Sequence, residues 1–211
     1  MSCLSRSFYR RPTLDVARDL IGKLLVHNTP AGLTSGAIVE VEAYIGEDDA
    51  ACHAASGLTQ RNLPLYGSAG YSYVYLNYGV HSLFNVVTES TGFPAAVLIR
   101  SVEPRAGEAL MRSRRHNLKS FRGGRLETTD LCRGPGNVAR SFGITLHHNR
   151  IDMCSESLYI QDADHSSGAI AWSSRIGISA ATAQLWRVYL RKSKSVSGSR
   201  RLNCPTVAGV P

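Results

Sequence analysis

Lysine is nearly absent from this chain. Only Lys23, Lys119, Lys192 and Lys194 stand among its 24 basic residues, which leaves 20 arginines against 16 acids and a net charge of +8. No apolar run approaches the roughly 20 residues of a membrane-spanning helix, and the start, Met1 to Arg11, lacks the apolar stretch of a secretory signal, so the expectation is a soluble protein that is not exported. The five cysteines, Cys3, Cys52, Cys132, Cys154 and Cys204, are odd in number, scattered and never in C-x-x-C spacing. That excludes a disulfide framework and a structural zinc site and predicts free thiols. No phosphate-binding G-x-x-x-x-G-K-[ST], dinucleotide-binding G-x-G-x-x-G, H-E-x-x-H or H-x-E signature occurs, so nucleotide hydrolysis, nicotinamide chemistry and zinc hydrolysis or deamination lose their motifs. Nothing points to a cofactor, and there is no internal repeat.

What is present begins with arginine, whose planar fork suits phosphate oxygens. The charge fits a polyanionic partner and equally a well-solvated basic surface. At 211 residues the chain is the size of one domain with a proper core. Thr13 can cap a short helix through Ile21, and extended structure begins at Lys23 to Val26. Ala37 to Ile45 is the strongest strand: alternation puts Ile38, Glu40, Glu42 and Tyr44 on one face and Val39, Val41, Ala43 and Ile45 on a core face. Two carboxylates beside apolar groups suit a sheet only if one acid faces a cleft.

A small-residue loop, 46–70, leads to an aromatic strand, Tyr71 to Gly79, with Tyr71, Tyr73, Tyr75 and Asn77 on one side and Tyr78 at the turn. Strands follow at Leu83 to Thr88 and Ala95 to Ser101, the second ending with Arg100 on the face of Leu98. Pro104 is read as opening a helix to about His116, followed by a Gly- and Arg-rich loop at Phe121 to Arg125. Gly134-Pro135-Gly136 opens another helix ending near Gly143. Leu158 to Gln161 and Trp186 to Leu190 form a last strand pair ahead of a tail expected to fray, 199–211 at the least. The sum is an α+β fold, a single domain over 1–211 with a curved, largely antiparallel sheet surrounded by helices.

The remaining constellation of acid, aromatics, amide and arginine on successive strands suits attack at a sugar carbon. In order along the chain, Val39-Glu40-Val41-Glu42-Ala43-Tyr44-Ile45-Gly46, Asp48-Asp49-Ala50-Ala51-Cys52-His53, Tyr73-Val74-Tyr75-Leu76-Asn77-Tyr78-Gly79, Phe84-Asn85-Val86, Val97-Leu98-Ile99-Arg100 and Glu103-Pro104 resemble the alkyladenine (methylpurine, 3-methyladenine) DNA glycosylases. The stretch from Leu131 to Gly143, Ser174-Arg175-Ile176-Gly177-Ile178 and Trp186-Arg187-Val188-Tyr189 fit as well, so the likeness runs from about 13 to 198. Departures are Asn137 where lysine is frequent, Leu76-Asn77 in place of a more apolar pair, and 200–211.

The resemblance implies a monomeric, monofunctional DNA glycosylase without cofactor or metal. Its partner would be double-stranded DNA carrying damaged purines (3-methyladenine, 7-methylguanine, hypoxanthine, ethenoadenine), in the cytoplasm at the nucleoid of a bacterium or the nucleus of a eukaryote. Glu42 would be the general base and Arg100 would help hold the attacking water. Tyr44 and His53 would line one face of the extruded base and Tyr75 the other. Asn85 would disfavour guanine's exocyclic amine, and Tyr78 would wedge into the duplex. Tyrosine faces would also attract a cationic alkylated purine. With no lysine in the matched pocket motifs, a Schiff-base lyase is disfavoured.

Plainer readings stand beside these. Glu42 can be a solvated strand residue, Tyr73 and Tyr75 core strand-formers, and Glu40 a supporting or surface acid. His53 beside Cys52 lacks the further ligands a metal needs. His147-His148 is read as surface loop. Arg112, Arg114, Arg115, Arg122 and Arg125 could touch phosphate or only face solvent, and Gly134-Pro135-Gly136 could present N–H groups to a phosphate or merely start a helix. Two rivals remain: a helix-hairpin-helix glycosylase using Asp152, which the strand-rich pattern opposes, and a non-catalytic basic nucleic-acid-binding module in which Glu42 is incidental.

Overall fold

The computed structural model describes residues 3–116, 126–163, 168–199 and 201–203. Arg122, Arg125 and the end of the tail, 204–211, lie outside them. Eight strands form one antiparallel sheet: β1 Leu24–Thr29, β2 Gly32–Ile45, β3 Ser72–Asn77, β4 His81–Val87, β5 Ala95–Ala106, β6 Leu158–Gln161, β7 Ile170–Ser173 and β8 Arg187–Leu190. The main order is β3-β4-β5-β2-β1-β6. The helices are α1 Arg6–Tyr9, α2 Thr13–Leu20, α3 Glu108–His116 and α4 Pro135–Phe142. This is the α+β class expected, with a curved antiparallel sheet.

The helices cover one face. Val16 and Leu20 of α2, Met111 of α3 and Val138 and Phe142 of α4 pack on Ile38, Val41, Val97, Ile99 and Phe84. On the opposite face a smaller cluster, Cys52, Ala54, Leu65, Tyr73, Val87 and Ala96, lies under the 46–70 loop, which folds into two short 3-10 turns. Period-2 alternation sends Val74 and Val86 to the first cluster and Tyr73 and Val87 to the second.

Several expectations are corrected. Thr13 is the first helical residue rather than the cap: α2 is held from outside by Glu89, whose Oε1 accepts the Thr13 N–H at 2.6 Å and its hydroxyl at 2.8 Å. Pro104 does not open α3. It pairs with Gly36 inside β5 at a register shift, where a missing N–H is tolerated, and the turn comes at Gly107, φ +77. A Cβ on Gly107 would lie 2.2 Å from the Leu33 carbonyl oxygen, so glycine is required there. Leu158–Gln161 and Arg187–Leu190 do not pair with each other. β6 extends the sheet beyond β1, whereas β8 pairs with β2 and with β7, a strand the sequence pattern did not reveal.

The alternation in β2 also inverts midway. Ile38 pairs with Val102, Glu40 with Ser101 and Val41 with Ile99, so the ladder passes over Val39 on β2 and Arg100 on β5 in two compensating bulges. Ile38 therefore joins Val41 and Ala43 in the main core, and Val39 turns to Ala171, Tyr189 and Val196.

At these bulges lies a buried ionic cluster. Glu40, fully buried, accepts from Arg100 Nε (3.0 Å), Arg187 Nε (2.7 Å), Ser101 Oγ (2.7 Å), and the Ser197 N–H (2.7 Å) and hydroxyl (2.9 Å). Arg187 donates further to Ser173 Oγ, Ser197 O, Leu202 O and Asn203 Oδ1. The segment after β8, expected to fray, is thus tied down as far as Asn203. Although burial alone would raise the Glu40 carboxyl, Arg100 and Arg187 outweigh it and hold the pKa at about 2.

Glu40→Gln leaves two guanidiniums without their shared acid, and an unpaired buried charge costs about 3–5 kcal/mol. Urea denaturation should report a loss of that order. Native stability should be level above pH 4.5, the ordinary carboxyl value, and fall as pH drops toward 2, because the unfolded chain takes up the proton first. A melting temperature unchanged between pH 5 and pH 2.5 would contradict this coupling.

Candidate active site

Cross-strand register assembles the site. Tyr73 of β3 pairs with Asn85 of β4, Asn85 with Leu98 of β5, Leu98 with Glu42 of β2, and Glu42 with Arg187 of β8. Directly opposed residues share a face, at about 4.8 Å per strand, so Glu42 and Asn85 lie roughly 10 Å apart with Leu98 between them. Val87, Ala96 and Tyr44 form the parallel row beside it.

Glu42 has no solvent exposure. Its Oε1 accepts the Ile176 N–H at 2.7 Å, and its Oε2 accepts Tyr44 Oη at 2.9 Å and Arg100 Nη1 at 3.1 Å. Arg100, also buried, reaches Glu42 and Glu40 at once and donates from Nη2 to Ser197 Oγ at 3.2 Å. Glu42 and Arg100 are therefore in direct contact, and the plain reading of Glu42 as a solvated strand residue is corrected: a carboxylate with no exposed surface and three donors is held for a purpose other than solubility.

Beside it a narrow pocket, a cavity of about 30 Å³, is lined by Tyr44, Cys52, His53, Leu65, Tyr73, Tyr75 and Asn85. The four residues singled out for a base pocket, Tyr44, His53, Tyr75 and Asn85, thus come together. Their arrangement differs in one respect. The His53 and Tyr75 rings touch edge to face, centroids 4.4 Å apart at 69°. A flat ring stacked at about 3.4 Å from each would need nearly 7 Å. His53 Nδ1 lies 2.8 Å from Tyr73 Oη, and Asn85 Nδ2 donates to Tyr73 O at 3.0 Å. Burial and Arg61 lower the His53 pKa, which leaves it neutral at pH 7. Burial, aided by Glu42, raises Tyr44 and takes Tyr75 to about 12, so both are protonated phenols.

Tyr78 stands at the tip of the β3–β4 hairpin, 90% exposed. The Val80 N–H donates to Asn77 O, and Tyr78 (φ +49) and Gly79 (φ +70) both take the left-handed conformation that a type I′ turn needs. A tyrosine there is strained, and Val80 beside it is exposed as well.

Sequence reasoning missed the supports. Glu40 is the exception: of the two readings the sequence offers it, supporting or surface acid, the first holds, because it is buried and accepts from Arg100. Arg175 and Asp49 form a wholly buried bidentate pair at 2.6 and 2.7 Å. Arg175 also donates to Ala43 O and lies over the Tyr44 and Trp186 rings at 4.7 and 5.0 Å. It thereby places Tyr44 and the next residue's N–H, both of which bind Glu42. The only advance signal was that Asp49 and Arg175 fell inside matched motifs. Of the arginines considered for phosphate, Arg112 is engaged by Glu108, Arg114 by Ser141 O, and Arg115 is buried against Asp130 O and Leu131 O. Arg115 is corrected from helix surface to helix interior. Gly134 caps α4 with Pro135 in its first turn, and Gly143 (φ +70) ends it as expected.

The family model for methylpurine-DNA glycosylase matches residues 7–194. Relatives carrying the name "Putative 3-methyladenine DNA glycosylase" include one from Chlorobium phaeobacteroides, 44% identical over 202 residues (95% of this chain, 98% of the relative). One from Methanocella arvoryzae is 44% identical over 201 residues (93% and 96%), and one from Desulfitobacterium hafniense is 41% identical over 201 (93% and 99%). With nearly the whole chain matched on both counts, the chain belongs to the methylpurine-DNA glycosylase family.

Proposed function

We propose that this enzyme turns an alkylated or deaminated purine out of duplex DNA into the aromatic pocket and hydrolyses its N-glycosidic bond with a water held by Glu42 and Arg100. The observation that carries this reading is the contact of a wholly buried Glu42 with Arg100, joined through the Tyr44 hydroxyl to a pocket walled by Tyr44, His53 and Tyr75. The sugar passes through an oxocarbenium-like state as the base departs. A carboxylate held by fixed donors away from solvent can take the water's proton and offset the growing positive charge, without reorganising at the moment of reaction. Asn85 at the pocket wall is the group suited to exclude a guanine amine.

Extrusion costs a few kcal/mol of stacking. An exposed tyrosine on a strained hairpin tip, with the pocket opening from the same strand, suits repayment by stacking in the vacated position and in the slot. The rings of His53 and Tyr75 would part as a base enters between them. Among the described residues no lysine lines the pocket, which favours direct hydrolysis over a Schiff-base lyase. The active chain would be a monomer, and no described helix is long and apolar enough to cross a membrane.

Glu42→Gln should lower single-turnover release of hypoxanthine or ethenoadenine from a duplex oligonucleotide by about 100-fold or more, the contribution of a positioned base, with duplex affinity retained. Binding without release by the native chain, on methylated DNA as well, would instead mark a non-catalytic module. Tyr78→Ala should lower kcat/KM about tenfold, one stacking contact's worth. The loss should shrink when the damaged base sits in a mismatch, where extrusion is already cheaper. Equal losses in paired and mismatched contexts would refute a wedge role.

A further inference from the structure

Two of the three tyrosines that line the pocket, Tyr44 and Tyr75, have a guanidinium against the ring from outside the pocket lining. Arg175 lies over Tyr44, and Arg61 lies over Tyr75 at 5.8 Å from the ring centroid. Tyr75 is the wall shared between the pocket and a neighbouring groove that holds Arg61. The carboxylates around the site are matched by cations: Glu40 and Glu42 by Arg100 and Arg187, and Asp49 by Arg175. Glu47 is exposed and takes the Tyr66 hydroxyl outside the lining. Arg61 differs. Its one hydrogen bond among the described residues is to the Leu76 carbonyl at 3.4 Å, and it has no acid partner there. Of the charges that act on Tyr75, Glu42 and Arg100 form an ion pair with each other, whereas Arg61 has no acid partner among the described residues. His53 adds none, being held neutral at pH 7 by burial and by Arg61 itself.

Resting on the glycosylase reading above, we propose that Arg61 makes the pocket discriminate by charge, favouring purines that are neutral in DNA over purines that carry a positive charge. As the bond from C1′ to the base nitrogen breaks, its electron pair stays with the base. A neutral purine leaves with growing negative charge, which Arg61 stabilises. A cationic purine enters the pocket against Arg61 and merely loses that repulsion as it leaves. Measured from free DNA to the transition state, the two substrates therefore differ by one unit of charge in the potential of Arg61, however far bond breaking has advanced. This opposes the attraction of tyrosine faces for cations expected from the sequence.

The size follows from distance. A base stacked about 3.4 Å beyond the Tyr75 ring lies about 9 Å from the Arg61 charge, which at an effective dielectric between about 20 and 80 gives a two- to twentyfold effect. Exposure of Arg61 places the result toward the lower end and makes it fall with salt.

The test measures kcat/KM for duplexes carrying hypoxanthine (neutral) and 7-methylguanine (cationic) with the native chain, Arg61→Lys, Arg61→Gln and Arg61→Glu. The ratio of cationic to neutral should rise about two- to twentyfold in Arg61→Gln, rise further in Arg61→Glu, and stay native in Arg61→Lys. Because Arg61 is exposed and each ratio is internal to one protein, folding and general DNA affinity cancel. An unchanged ratio overturns the proposal. So does an equal fall on both substrates with a salt slope shallower by about 0.9, which would make Arg61 a phosphate contact. A native chain that releases neither base is a different failure, that of the glycosylase reading itself.

Discussion

Five hydrogen bonds converge on the Glu40 carboxylate in the interior, two of them from guanidiniums; among the described residues Arg187 has no other acid partner and Arg100 has only Glu42 besides. Placing such charges in a low-dielectric interior is expensive, and a packed apolar cluster of the same volume would be as stable or more so. What the ions supply is geometry. Arg100 can serve Glu42 only because Glu40 takes its Nε while Ser197 takes Nη2, so Nη1 is left aimed at a single place. Arg187 carries the same constraint outward to Ser173, Leu202 and Asn203, which joins β7 and the chain's later segment to the strand of Glu42.

Two bulges make this cluster possible. An unbroken ladder between β2 and β5 would have kept strict alternation and set Ile38 on the face of Glu40. Passing over Val39 and then Arg100 restores the register within three residues and re-aims the side chains between. Ile38 stays with the apolar core while Glu40, Glu42 and Arg100 meet on the other face. A local loss of ladder regularity is thus exchanged for a charged site inside a sheet whose two faces would otherwise both be apolar.

The same bulges explain how much was legible beforehand. Glu42, Tyr44, Asn85 and the 73–75 tyrosines obey plain alternation in strands with strong local signals, and their shared face could be read from parity. Ile38 and Val39 could not, because a bulge is decided by the partner strand and not by its own residues. Pro104 carried a helix-start signal that pairing with Gly36 overrode, and Gly107 was the true punctuation. β7 is four residues long and exists because β8 pairs with it. Asp49 and Arg175 are separated by 126 residues, so no local pattern could announce their contact. Likeness of motifs could place residues in the site, but it could not say which of them hold the others.

Strands and loops divide the work of the site. Glu42, Arg100 and Asn85 sit on paired strands, where spacing is set by the ladder. His53 and the Ile176 N–H come from loops, and each loop is braced: Asn62 Nδ2 donates to the His53 and Gly57 carbonyls, and Arg175 grips Asp49. Tyr75 is the less constrained wall, near the end of an edge strand, half-buried, and three residues from the Tyr78 tip. In the proposed reading, the wall that gives way to an entering base and the ring that enters the duplex therefore belong to one hairpin. A shift of that hairpin toward the stack moves both in a single displacement, while the arginine and its carboxylate, anchored one and two strands further in, keep the geometry that hydrolysis requires.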